Sequence, residues 1–236
     1  MIEAIRPAAY ALFAILGFLL IPLRFWLVKR YLQSHDTRKL HIGCGPHRLE
    51  GWLNTDLNPF HSLVLVDAGR RLPFDANAFD CIFTEHLIEH LEFRKGTQLL
   101  QECYRILKAG GKIRIATPNL QFLLDLYLPD KSELQKQYVR DGMARYFPHL
   151  EMPFEAVVIN HFFRAWGHQF IYDFKTLEAE MKRAGFTGIQ QEEVGESHDP
   201  RLQNLERHGQ KIGQDYNRLE TMVIEATKPF VPAPGR

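Results

Sequence analysis

Cysteine is scarce in this chain: three residues in 236, Cys44, Cys81 and Cys103, an odd number with no C-x-x-C pair. Neither a disulfide framework nor a metal site is expected from that usage, and a reducing compartment fits it. Net charge is scarce too. At +1 nothing global draws the chain to a phosphate backbone, so no nucleic-acid partner is expected. No internal repeat is present. The length excludes two full catalytic domains and leaves about 30 to 40 residues beyond one ordinary domain. With 45% hydrophobic and 24% charged residues, the composition is that of a chain that buries a core.

The surplus lies at the amino terminus. Ala8 to Leu23 carry no charge, and the apolar run reaches Val28 if Arg24 extends its guanidinium toward lipid headgroups. As a helix, that longer run spans about 30 Å, enough for a bilayer core. Arg24-Phe25-Trp26-Leu27-Val28-Lys29-Arg30 follows in place of a small-residue cleavage site, so a removed signal peptide is not expected. Basic residues gather after the run, at Lys29, Arg30, Arg38 and Lys39, which puts the main domain on the cytoplasmic side of the membrane. A helix lying flat on the membrane or packed on the domain is the alternative. The expected organisation is a membrane anchor and linker over 1–37, a main domain over 38–229 and a tail over 230–236.

Seven strands are expected: 39–42, 52–56, 62–67, 79–84, 112–117, 188–194 and 220–226. Leu99, Leu100, Cys103, Ile106 and Leu107 recur at helical spacing before Gly110-Gly111, and Phe174, Leu177, Met181 and Ala184 do so before Gly185. The alternation predicts an α/β layer fold, Rossmann-like, with a seven-stranded, mainly parallel sheet. Residues 120–169 break the pattern. They carry Tyr127, Tyr138, Tyr146, Phe147, Phe154, Phe162, Phe163 and Trp166, and read as an aromatic-rich helical insertion covering an acceptor pocket.

Ligands of open α/β sheets bind beyond the carboxyl ends of the strands, so the strand ends carry the chemistry. The first ends in Gly43-Cys44-Gly45, where missing Cβ atoms let a ligand approach the backbone. The second ends in Asp56, which can accept both hydroxyls of a ribose, the third in Asp67-Ala68, and the fourth in Thr84-Glu85-His86. The dinucleotide pattern G-x-G-x-x-G fails because position 48 is Arg, and only Pro46 to Gly51 separate the turn from the second strand. That leaves no room for a long first helix with a pyrophosphate at its N-terminus, so NAD fits poorly. A cofactor with a ribose, an adenine and a small zwitterionic end fits well.

Leu40-His41-Ile42-Gly43-Cys44-Gly45, Gly51-Trp52-Leu53-Asn54-Thr55-Asp56, Leu72-Pro73-Phe74, Ile88-Glu89-His90-Leu91 and Arg105 to Lys112 together resemble a class I S-adenosylmethionine-dependent methyltransferase, nearest the small type-11-like bacterial group. Ala165 to Asp173 and onward to Lys228 is similar to the tail of that group. The resemblance implies S-adenosyl-L-methionine as cofactor. Gly43, Cys44 and Gly45 then touch its methionine moiety, Asp56 the ribose, Asp67 and Ala68 the adenine, and Glu85 with His86 the wall near the methyl group. The chain departs from the group in its missing first helix and in the short link 57–61, which leave one sheet face without its usual helices. Either the insertion or the amino-terminal helix is expected to cover that face.

A sulfonium is already an activated electrophile, so the protein must position the acceptor, exclude water and, for a hydroxyl acceptor, supply a base. His168, His161, His86 and Tyr172 are the candidates. Thr84-Glu85-His86-Leu87 stands where methyltransferases acting on base or amide nitrogens often carry Asn/Asp-Pro-Pro-Tyr/Phe, which disfavours nucleobase methylation. With a membrane anchor and the resembling group's association with surface polysaccharide synthesis, the expected reaction is O-methyl transfer to a sugar or lipid-linked glycan. A lipid or quinone headgroup methyltransferase and a non-catalytic cofactor-binding scaffold at the membrane are the alternatives.

Overall fold

The computed structural model describes residues 20–230. The first helix, α1 (Ile21–Ser34), has Pro22 in its first turn, where a missing N–H costs nothing. Strands β1 (Lys39–Ile42), β2 (Leu53–Thr55) and β3 (Phe79–Glu85) follow, then a 3-10 turn at Ile88–His90 and helix α2 (Phe93–Ile106). After β4 (Leu107–Pro118) come α3 (Leu120–Asp125), α4 (Glu133–Tyr146) and α5 (Glu155–Arg164). The chain ends with α6 (Phe174–Ala184), β5 (Thr187–Glu192), a 3-10 turn at Pro200–Leu202, short helices α7 (Gly209–Ile212) and α8 (Gln214–Glu220), and β6 (Thr221–Thr227).

The sheet has six strands in the order β2-β1-β3-β4-β6-β5. The first four run parallel, and β6 lies antiparallel to both β4 and β5. The seventh strand expected over 62–67 shrinks to a single parallel bridge, Asp56 to Leu65, because the chain must turn back within a few residues of β2. The helix expected to run to Gly110-Gly111 stops at Ile106. Leu107 pairs at once with Phe79, so both glycines fall inside β4.

Period-two alternation sends β-strand side chains to two different cores. On one face Leu40, Ile42, Ile82, Ile113, Ile115 and Ile224 meet Leu99 and Cys103 of α2 and Leu177 and Met181 of α6. Helix α1 joins the same cluster through Leu27, Val28, Tyr31 and Leu32. The Tyr31 hydroxyl donates to the carbonyls of Lys39 and Gly51, and Arg24 Nη1 donates to the Leu65 carbonyl at 3.2 Å, so α1 is tied to the domain by polar contacts as well. The opposite face, with Cys81, Phe83, Ala116 and Val223, is packed by no α-helix among the described residues. Leu49 and Trp52 from the loop before β2 cover it, with Leu202 and Leu205 from the β5–β6 connection. The expectation that the insertion or the amino-terminal helix covers this face is therefore corrected.

Arg114, wholly buried on that second face, fastens the β5–β6 connection. Its Nε lies 2.6 Å from Glu206 Oε1 and its Nη1 2.7 Å from Glu225 Oε1, and it also donates to the carbonyls of Glu196 and Glu193. The 120–169 insertion is helical and has a small core of its own, built from Phe122, Leu123, Leu126, Val139, Met143, Val158 and Phe162. Most of the expected membrane span falls on residues 1–19, outside the described residues. Among the described residues no helix is long and apolar enough to cross a membrane.

Candidate functional site

The turn after β1 places Gly43 and Gly45 in the left-handed region, with φ of 69° and 52°. A Cβ on Gly45 would meet open space, whereas one on Gly43 would strike Leu87, so the turn is open on the Gly45 side. Asp56, at the end of β2, accepts from Gly45 N at 2.8 Å and from Asn58 N at 2.7 Å, one bond to each carboxylate oxygen. Each oxygen keeps a further lone pair, and a vicinal diol can use both. The arrangement fits the ribose reading. Asp67 caps its own turn through Gly69 N and faces Arg70, half-exposed, with Ala68 buried beside it. Burial pushes the Cys44 thiol up to about 12, so it sits in the turn as a neutral packing group.

Glu85 does not stand free. Its carboxylate accepts the backbone N–H groups of Arg207 and His208, all at 2.9 Å, and so pins the β5–β6 connection to the end of β3. That contact brings the His208 ring onto His86, with centroids 3.8 Å apart. His86 takes φ of 47°. Its Nδ1 lies 3.2 Å from Glu89 Oε1. Burial works against charge on His86, but the neighbouring Glu89 carboxylate outweighs it and holds the imidazole above its usual range. For Glu89 burial likewise opposes ionisation, and His86 with His90 outweighs it, so the carboxyl is held low.

Beyond the carboxyl ends of β3 and β4 lies a cavity of about 680 Å³, walled by the insertion on one side and by α7 and α8 on the other. Five histidines line it: His86, His90, His161, His168 and His208. Tyr146, Phe147 and Trp166 supply aromatic faces, with Arg145 and Lys211 as cationic groups. Three of the four residues expected to handle protons therefore come together. His161 stacks among Tyr146, Phe147 and Trp166, its Nε2 is buried without a hydrogen-bond partner, and burial lowers its pKa. His168 Nδ1 donates to the Phe162 carbonyl at 2.7 Å, and burial again holds its pKa low.

Tyr172 is placed elsewhere. It is 1% exposed in the core beside α2, its hydroxyl has no partner, and burial pushes its pKa up to about 12. It is not among the cavity-lining residues. Of the expected cofactor contacts only His86 reaches the cavity wall; Gly43, Cys44, Gly45, Asp56, Asp67, Ala68 and Glu85 do not line it. The sequence placed Glu89 and His90 only within the Ile88-Glu89-His90-Leu91 motif and did not single out His208, Glu220 or Arg145. The spacing of His86, Glu89 and His90, which sets three ligand-type side chains on one turn, was the available signal for the first two. His208 lies 122 residues from His86 and left none.

Residues 52–115 match the family model described as a methyltransferase domain. No curated protein matches the chain. Among solved structures, a SAM-dependent methyltransferase from Archaeoglobus fulgidus aligns with a TM-score of 0.48 and 19% identity, over 89% of this chain and 93% of its own. Phosphoethanolamine N-methyltransferase 2 from Haemonchus contortus, in complex with phosphomonomethylethanolamine and S-adenosylhomocysteine, aligns with a TM-score of 0.47 and 18% identity over 89% of this chain. This chain spans about half the length of the Haemonchus enzyme, 53%.

Proposed function

We propose that this chain is a class I S-adenosylmethionine-dependent methyltransferase, a reading supported by its match to the methyltransferase-domain family over residues 52–115, and that it methylates a hydroxyl of a sugar or lipid-linked glycan at a membrane surface. The observation that carries the acceptor reading is the cavity at the end of β3, with Tyr146, Phe147 and Trp166 as flat apolar platforms and histidines between them. Its volume lies in the range of sites for molecules of one or two sugar rings. Aromatic faces pack on the C–H faces of sugars, and Arg145 and Lys211, which have no ion-pair partner among the described residues, suit a phosphate that links glycan to lipid.

When bound, the cofactor would supply an electrophilic methyl group on its sulfonium, with the acceptor oxygen as nucleophile and the neutral thioether as leaving group. The chain's own residues do the rest. Asp56 and the Gly43–Gly45 turn hold the ribose and the amino-acid end, while Glu85 fixes the wall through Arg207 and His208. His161 Nε2, buried, unpartnered and kept neutral near pH 7 by burial, takes the proton that the hydroxyl releases. The membrane side of the reading is supported by Phe25 and Trp26, 70% and 53% exposed on α1 within the last residues of the apolar run.

Two steps test it. Calorimetry with S-adenosylhomocysteine is expected to give saturable binding that Asp56→Ala weakens, with no heat from NAD. Transfer of labelled methyl from S-adenosylmethionine is then expected to a lipid-linked glycan fraction and to be lost in His161→Phe. Label appearing in quinones or simple lipids would overturn the glycan assignment, and binding without transfer to any fraction would favour the scaffold.

A further inference from the structure

We propose that Glu89, His90 and His168 form a site for one divalent transition-metal ion whose open coordination positions face the cavity. One ligand atom from each of the three lies within 4.8 Å of the other two. An ion bound at about 2.0–2.2 Å in tetrahedral geometry keeps its ligand atoms about 3.4 Å apart, so side-chain rotations of about an ångström complete the set.

Three features of the surroundings point to an ion. Glu89 is wholly buried, and its Oε2 accepts from the Thr117 hydroxyl while its Oε1 accepts no hydrogen bond. His86 Nδ1 lies 3.2 Å from that atom but out of line, and His90 Nε2 is 3.9 Å away. His86 offsets the charge of this carboxylate, yet no donor is aimed at Oε1, so a lone pair there stays open to a metal ion. Second, the Nδ1–H of His168 donates to the Phe162 carbonyl, which leaves Nε2 as the lone-pair nitrogen and fixes its direction, the backing usual for a ligating imidazole. Third, the Glu89 carbonyl accepts the N–H groups of Gln169 and Phe170, so the segment that follows His168 is clamped to the turn bearing the other two ligands.

A neighbouring set, His86, His208 and Glu220, has similar spacing, but two of its three members are already paired with each other, although His86 Nε2 has no partner among the described residues. Glu220 Oε1 pairs with His208 Nε2, and its Oε2 accepts from the Tyr138 hydroxyl. Two imidazoles and one carboxylate suit zinc, manganese(II) or iron(II) and leave room for an exogenous oxygen. In the cavity that oxygen is the acceptor hydroxyl, whose proton becomes easier to remove when the ion polarises it. This role rests on the methyl-transfer reading, whereas the ion site itself does not.

The test uses the full chain freed of metal by a chelator and titrated with Co²⁺, read by its visible absorption, with Zn²⁺ as competitor. One Co²⁺ per chain is expected, displaced by Zn²⁺ and bound about a hundredfold more weakly in Glu89→Gln, His90→Ala and His168→Ala. Binding of S-adenosylhomocysteine reports that each variant is folded, and His90→Ala, at a half-exposed position, serves if the buried Glu89→Gln does not fold. No stoichiometric Co²⁺ spectrum, or an unchanged affinity in folded His90→Ala, overturns the site. Stoichiometric binding lost in the variants upholds it even if no acceptor is found, which would instead count against the glycan reading. Transfer at an unchanged rate after chelation overturns the ion's part in the reaction.

Discussion

Gly96 and Tyr172 offer a test in which geometry alone sets the sign of the outcome. Gly96 lies inside α2, and a Cβ built there would overlap the Tyr172 hydroxyl oxygen while reaching Tyr172 Cζ at 3.5 Å, an ordinary contact. Gly96→Ala gains about 0.5–1 kcal/mol of helix stability and loses about 1–3 kcal/mol to overpacking, for a net destabilisation of up to about 2.5 kcal/mol. Removing the hydroxyl removes the overlap. In a Tyr172→Phe background, the same substitution is expected to stabilise by about 0.5–1 kcal/mol. Tyr172→Phe alone is expected to be neutral or stabilising, since the hydroxyl it deletes is buried without a partner. Urea denaturation of the four proteins yields the coupling energy, expected at about 1–3 kcal/mol. A coupling below about 0.5 kcal/mol would refute the packing argument. Methyl transfer by the Phe variant is expected to stay at the parent rate, and a loss of tenfold or more in a folded protein would return Tyr172 to the list of proton acceptors.

Three further outcomes follow from the same contacts. Burial holds His41 down to about 4, against 6.5 in the unfolded chain, so between those values the unfolded state binds more protons and stability falls as pH is lowered. The loss from this group is about 2–3 kcal/mol by pH 4.5, and His41→Phe, packed on Phe83, is expected to flatten that part of a urea-denaturation series between pH 7.5 and 4.5; parallel curves for both proteins would count against it. Arg114→Met leaves Glu206 and Glu225 buried without their cation and is expected to cost about 3–5 kcal/mol, with hydrogen exchange speeding over 193–208; a loss under about 1 kcal/mol would contradict the network. Asp56→Asn keeps one acceptor oxygen and loses the charge, so S-adenosylhomocysteine affinity is expected to fall about ten- to a hundredfold by calorimetry, and an unchanged value would place the ribose elsewhere.

What the sequence revealed and what it hid divide along a physical line. Strands β1, β3, β4 and β6 were legible because buried parallel or central strands need near-continuous apolar runs, and α6 because Asp173 and Gly185 cap a periodic helix. The turn at Gly43-Gly45 and Asp56 was legible because it is local: eleven residues separate two groups that hydrogen-bond directly. Residues 62–67 carried the apolar character of a strand, yet strand formation also requires a partner in register, and the short return from β2 allows only the Asp56–Leu65 bridge. The covering of the second face was hidden because Leu202 and Leu205 sit singly in a polar segment without periodicity. An acceptor pocket under the insertion, with His86, His161 and His168, was legible, but the wall that His208 and Glu220 add to it was not, since they come from a distant stretch that only the fold brings there.

The β5–β6 connection links these hidden parts. It closes the second face with few apolar side chains, and its position is set by Arg114 through Glu206 and by Glu85 through the backbone of Arg207 and His208. Buried charge pairs contribute little net stability compared with apolar packing, because desolvation offsets their attraction, whereas breaking one is strongly unfavourable. Such contacts therefore constrain position more than they stabilise. That is the property needed where a loop serves as a wall. Because Glu85 ends the strand that leads into His86, the anchor of the loop and the floor of the cavity belong to consecutive residues. A displacement of 193–208 thus reaches His208 and its stacking partner His86 without passing through the apolar core on the opposite face.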